Sequence, residues 1–289
     1  MRKINSKDQH KRVAAIHDIS CVGRCSLTVA LPLLSAAGIE TNVIPTAVLS
    51  THTGGFCDYT YRDLTGDMLP IAEHWSRLKL KFDALYTGYI GTPEQLTILN
   101  EIVDLLQDDE TLLFVDPVMA DNGTLYKCIK PEYIEGMRKF CKKANIITPN
   151  MTEAMFLLDM EYTEGPYHES LVQEILQRLS EFGNDHIILT GVSYDNDRLG
   201  AVAYDCARNK YTYAFSRVVN GTFHGSGDVF ASVLLGALLN GKTVEQAMKI
   251  AVDFTVYCIS STKKEGADLR YGLNFEKNIP HLIKDLGLN

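Results

Sequence analysis

Short apolar runs alternate with longer amphipathic patterns along almost the whole 289-residue chain, and this rhythm leaves few folds open. A strand buried on both faces reads as a brief apolar run, so the alternation predicts stacked β-α units around a mainly parallel sheet flanked by helices, an α/β fold. The first strand is expected at 13–16, followed by a helix over 26–37 that Gly38 stops. Further strands are expected at 42–48, 84–89, 111–115, 145–148 and 186–190. Leu96, Leu99, Val103 and Leu106 have helical spacing, and Thr92, Pro93 and Gln95 supply a cap, a first-turn proline and a box partner for a helix over 93–107. Other helices are expected to open near Thr152, to run through 172–179, and to close the chain over 228–240 and 244–262. Residues 199–204 and 211–215 break the rhythm and read as a small antiparallel hairpin. Nothing resembles a linker or repeat, so residues 1–12 are expected as a flexible tail and 13–289 as one domain.

Open α/β sheets bind ligands beyond the carboxyl ends of their strands. The residues expected there are His17 and Asp18, residues 50–55, Tyr89, Asp116, residues 148–150, and Thr190 with Gly191. A formal net charge of -8 without any basic run argues against a nucleic-acid surface. An anionic ligand would have to be small, held by backbone N–H groups, one or two local cations and a metal ion. Seven scattered cysteines lack a C-x-x-C pair, which suits reduced thiols in a cytoplasm better than disulfides or structural zinc. The opening MRKINSKDQHKR has no apolar stretch of signal-peptide type, and no run is long enough to span a membrane.

The stretch FHGSGDVFASVLLGALLNGKT, residues 223–243, offers two phosphate sites. Gly236, Gly241, Lys242 and Thr243 satisfy G-x-x-x-x-G-K-[ST], yet the pattern contains Ala237, Leu238 and Leu239 and follows an apolar run, which is a buried helix and no phosphate cradle. Asn240 and Gly241 read instead as a helix stop, and Thr243 with Gln246 as the next capping box. At the other end Gly225, Ser226, Gly227 and Asp228 precede the helix. Two glycines, unpaired first-turn amides and a positive dipole end suit an anion, and Asp228 could take a proton from an attacking hydroxyl. These four residues serve equally well as a glycine-rich helix start with a favourable first-turn charge.

Here the chain resembles the pyridoxal kinase family of the ribokinase-like kinases, over nearly its whole length. The family's Gly-Thr-Gly-Asp motif stands as Gly225-Ser226-Gly227-Asp228, and IHDISCVGRCS (16–26), VLSTHTGG (48–55), TGYIG (87–91), FVDPVMADNG (114–123), TPNMTEA (148–154) and IILTG (187–191) follow the family's order. The resemblance implies a ribokinase-like fold and transfer of the ATP γ-phosphoryl group to the 5'-hydroxyl of a B6 vitamer, a salvage reaction. Asp228 would be the base, and Gly225, Ser226 and Gly227 an anion hole. Asp18, Thr53 and Tyr89 would contact the ring; Asp18-Ile19 stands where many members have Ser-His. Asp116, Thr148, Asn150 and Glu153 would hold the phosphates, with Asp116 and Glu153 towards Mg2+, and Thr190 and Gly191 would lie near the nucleotide. Asn150 with Glu153 is also a good helix-capping pair, and the two roles can coexist. The resemblance further implies a homodimer and leaves room for a monovalent cation. His52, Cys57 and Trp75 read as packing or surface residues. A hydroxymethylpyrimidine kinase, a sugar or nucleoside kinase, and a non-catalytic vitamin-binding protein are the competing readings.

Overall fold

The computed structural model describes residues 10–127 and 129–288. Its first half runs β1 (Arg12–Ser20), α1 (Leu27–Ala36), β2 (Glu40–Leu49), β3 (Tyr61–Asp63), α2 (Thr65–Arg77), β4 (Ala84–Thr87), α3 (Pro93–Leu106) and β5 (Leu112–Val115). A two-strand ribbon, β6 (Ala120–Asp121) with β7 (Thr124–Leu125), precedes α4 (Glu132–Cys141), β8 (Ile146–Ile147), α5 (Met151–Leu157) and α6 (Glu169–Ser180). Then come β9 (His186–Val192), β10 (Arg198–Asp205), β11 (Lys210–Arg217), α7 (Ser226–Leu239), α8 (Val244–Lys264) and α9 (Ile279–Leu286).

Nine strands form one sheet in the order β11-β10-β9-β8-β5-β4-β1-β2-β3. The six from β9 to β2 are parallel, whereas β3, β10 and β11 pair antiparallel at the two edges. The expected hairpin is therefore the sheet's own edge, with Asp205 opposite Lys210 at its turn. Successive strand residues face opposite layers. Ala14, Leu85, Ile147, Leu189 and Val202 join the core under α2 to α6. Their neighbours Val13, Tyr86, Ile146, Ile188 and Ala201 join the core under α1, α7, α8 and α9. Each fully buried Leu, Ile or Phe adds about 1.5–3 kcal/mol of transfer free energy, so burial on both faces favours this layering over a one-sided sheet.

Helix α7 is buried at every position from Val229 to Leu239, which is why it is apolar all round. Gly236 packs on α1, where a Cβ would lie 3.0 Å from that of Ala37. Asn240 ends the helix, Gly241 takes a φ of 77°, and Thr243 with Gln246 forms the capping box of α8. The lysine pattern thus encodes a helix-helix turn, and Lys242→Ala is expected to leave turnover within about twofold, as a surface change away from any site should. Near-complete loss of activity in that variant would restore the P-loop reading.

Several elements depart from expectation. Arg12 belongs to β1 and not to a tail: its amide donates to Asp83 and its guanidinium pairs with Glu40, while residues 1–9 lie outside the described residues. The apolar pattern also leaves β3, α2, the β6-β7 ribbon, α4 and α9 unannounced. Among the described residues no helix is long and apolar enough to cross a membrane.

Candidate active site

Every residue to which the family resemblance gives a site role lines one cleft of about 830 Å³ along the carboxyl ends of the parallel strands, whereas His17, also expected there, does not. At β1 the register against β2 shifts between His17 and Ile19, a bulge of the kind that re-aims a side chain, and Asp18 lines the cleft from it. His17 is fully buried against Tyr86, edge to face at 4.3 Å, and burial lowers its pKa to about 3, so the ring is neutral. Gly88 makes its room: a Cβ there would lie 2.3 Å from Nδ1 of His17. The first glycine of TGYIG therefore serves the packing behind Asp18.

Gly225 adopts the left-handed conformation (φ 73°) and seats α7 against the loop after β1. A Cβ at this position would lie 2.0 Å from the backbone oxygen of Arg24, so only glycine permits the approach. The following residues, Ser226, Gly227 and Asp228, form the first turn of α7, whose amides have no acceptor within the helix and present the positive dipole end. Ser226 Oγ donates to the Phe223 carbonyl. Burial, aided by the charge of Asp18, raises the Asp228 carboxyl to about 7, against a hydrogen bond from the Ser26 amide. A carboxylate poised near neutral pH inside a cleft is what a general base requires.

Ser26 is the residue that sequence reasoning missed. Its φ of 54° is unusual for a non-glycine residue, and it makes no side-chain cap for α1. Its hydroxyl instead bonds Asp18, while its amide bonds Asp228, so one strained residue orders both carboxylates. Nothing in the sequence announces this, because a serine before an apolar helix reads as an ordinary cap. Burial raises Asp18 as well, with Ser26 and Ser20 opposing. Cys25, also lining the cleft, has its thiol pKa pushed up by burial and by both carboxylates, which leaves it an unreactive thiol.

On the other side lie Asp116, Thr148, Asn150, Glu153, Thr190 and Gly191. Asn150 and Glu153 form a reciprocal capping box on α5, each side chain taking the other's amide at 2.9 Å. Both reach further: Nδ2 of Asn150 donates to the Ala120 carbonyl, and Oε1 of Glu153 accepts from the Met119 amide. The box therefore fixes the segment between β5 and β6 over the cleft. Thr190 donates its amide to the Pro149 carbonyl, which joins β9 to the same corner. Burial raises Asp116, with repulsion from Glu153 and Asp228 adding, and burial raises Glu153 to about 8.

These carboxylates face few cations: of the described lysines and arginines only Lys127, after the β6-β7 ribbon, and Arg217, at the end of β11, line the cleft. Among the described residues no three His, Cys, Asp or Glu side chains converge on one point. That suits Mg2+, which commonly takes one or two carboxylates and completes its shell with phosphate oxygens and water. The donor set therefore fits a magnesium nucleotide.

The profile of the family described as phosphomethylpyrimidine kinase matches residues 71–271. A Bacteroides thetaiotaomicron protein described as a phosphomethylpyrimidine kinase, in a crystal form with pyridoxal, superposes with a TM-score of 0.90 at 36% identity over 95% of this chain and 96% of that one. Pyridoxal kinase from Lactobacillus plantarum superposes with a TM-score of 0.87 at 28% identity over 96% of this chain and 98% of that one. Human pyridoxal kinase is 29% identical over 228 residues, 70% of this chain and 69% of its own. The expected likeness to pyridoxal kinases and the ribokinase-like fold are present in these comparisons. With most of the chain inside the matched profile and its whole fold shared with these proteins, the protein is a kinase that belongs to the phosphomethylpyrimidine kinase family.

Proposed function

We propose that this kinase transfers the terminal phosphoryl group of ATP to the 5'-hydroxyl of pyridoxal, pyridoxamine or pyridoxine. The observation that carries the reading is the Asp228 carboxyl, held near neutral pKa beside the glycine turn that opens α7. The names of the relatives support the acceptor: pyridoxal kinases in two comparisons, and a neighbour at 36% identity in a crystal form with pyridoxal.

In this reading Asp228 takes the hydroxyl proton as the oxygen attacks phosphorus, and ADP leaves with the bridging oxygen. The amides of Gly225, Ser226 and Gly227 meet the charge on the transferring group, a preorganised arrangement of dipoles at a helix start. Asp18, Thr53 and Tyr89 hold the ring. Asp116, Thr148, Asn150 and Glu153 hold the phosphates and their Mg2+, and Thr190 with Gly191 borders the nucleotide. Mg2+, when bound, neutralises phosphate charge. A homodimer and a cytoplasmic location belong to the same reading, and the former is checked by sedimentation. The name of one relative, a hydroxymethylpyrimidine/phosphomethylpyrimidine kinase, favours one second reading, in which the acceptor is hydroxymethylpyrimidine and the same residues do the same chemistry.

A base must be ionised to work, so activity should vanish as pH falls through the Asp228 pKa. With both substrates subsaturating, kcat/KM is expected to rise about tenfold per pH unit below about 7 and to level above it. A profile flat from pH 5 to 7 would remove Asp228 from the role.

A further inference from the structure

His52 was expected to be a packing residue, and at 6% exposure it is buried, yet its contacts lie between the loops that close one end of the cleft. Its Nδ1 accepts the Gly54 amide at 3.1 Å, which leaves the proton on Nε2, and Nε2 donates to the Arg270 carbonyl at 2.5 Å. Two glycines fit this ring and its partner closely. A Cβ on Gly23, in the loop after β1, would lie 2.6 Å from Cδ2 of His52, and one on Gly55 would lie 3.1 Å from Cγ of Arg270. Phe56 meets His52 edge to face at 5.0 Å and carries the Arg270 guanidinium over its ring at 5.5 Å. His224, which directly precedes Gly225, stands 5.1 Å from the His52 ring and fills the space that Gly54 leaves.

We propose that His52 is the positioning residue of the acceptor end of the cleft: its neutral ring ties the loop carrying Thr53 to the turn at Arg270 and so sets affinity for the acceptor alcohol without setting affinity for nucleotide. This rests on the preceding reading, which puts the ring of the acceptor at Thr53. The two hydrogen bonds are separable by substitution. Asn can place its oxygen near the site of Nδ1 and keep the bond from Gly54, whereas Gln can place its amide near the site of Nε2 and keep the bond to Arg270. No ionic group is needed for either bond; burial lowers the pKa of the ring and keeps it neutral, and the two bonds select the tautomer.

The test is steady-state kinetics of His52→Ala, His52→Asn and His52→Gln with pyridoxal and MgATP varied separately. His52→Ala is expected to raise KM for pyridoxal by about 10- to 100-fold, the loss of two buried hydrogen bonds and a packed ring, with KM for MgATP within about twofold. The Asn and Gln variants should each recover part of that rise. Gly23→Ala, which crowds the ring from the other side, should raise the same constant. An unchanged KM for pyridoxal in the Ala variant would overturn the proposal, as would equal rises for both substrates or a Gln and Asn pair no better than Ala. If the Ala variant does not fold, the Asn, Gln and Gly23→Ala proteins decide the question by the same split. Should the unmodified enzyme phosphorylate only hydroxymethylpyrimidine, the substrate reading would fall while the split measured with that alcohol would still decide His52.

Discussion

Asp228→Asn is expected to lower kcat by about 10² to 10⁴ with little change in KM for either substrate, the loss that follows removal of a general base. The same substitution should stabilise the protein. The folded-state pKa of Asp228 is about 7 against 3.8 for the free side chain, so between pH 4 and 7 the folded protein keeps a proton that the unfolded chain has released. Stability therefore falls as pH rises through this window, and the deficit is complete above it. At about 1.4 kcal/mol per pKa unit the cost at pH 8 is on the order of 4 kcal/mol, and Asn escapes it. Thermal unfolding should show the variant above the parent at pH 8 and level with it at pH 4. Lost turnover joined to a raised Tm separates a removed base from a damaged fold. A variant that turns over normally would sink the catalytic assignment, and one that is less stable at pH 8 would contradict the electrostatic account.

Gly225→Ala carries the second large effect. The added Cβ would meet the Arg24 carbonyl at 2.0 Å, and the φ of 73° already disfavours any side chain. A backbone oxygen cannot turn aside as a flexible side chain can, so the start of α7 must move. Arg24 is itself confined, because its amide donates to the Tyr271 carbonyl and its oxygen would meet a Cβ on Gly272 at 2.6 Å. Displaced amides at a charge-stabilising turn cost about 10² to 10³ in kcat by comparison with the loss of one such donor elsewhere. Gly227 makes the control, since a Cβ there meets nothing within 4 Å and its φ is not in the left-handed region. Gly227→Ala should stay within about tenfold of the parent, and equal losses in the two variants would show that the Arg24 contact is not the reason.

Much of this was legible from the sequence because parallel strands buried on both faces are short apolar runs, and because residues that follow them fall at one end of the sheet. The Asn150-Glu153 pair, the Thr92 cap and the turn at Gly241 are local, so their spacing suffices. Helix α2 escaped notice since Gly66 and Pro70 interrupt it and only Met68 and Ala72 are buried. Helix α4 does have Tyr133, Met137, Phe140 and Cys141 at helical spacing, with Gly136 in their midst weakening the signal. The site hid more where its parts are remote in sequence. The strained φ of Ser26, the clasp of Arg24 between Gly225 and Gly272, and the bond from His52 to Arg270 each depend on partners that only the closed sheet brings together.

The most direct measurement is ADP release from MgATP with pyridoxal, pyridoxamine, pyridoxine, hydroxymethylpyrimidine and ribose offered in turn, and Asp228→Asn run beside the parent protein. The account predicts turnover of at least one B6 vitamer, lost in the variant. Turnover of hydroxymethylpyrimidine or ribose with none of any vitamer would contradict it.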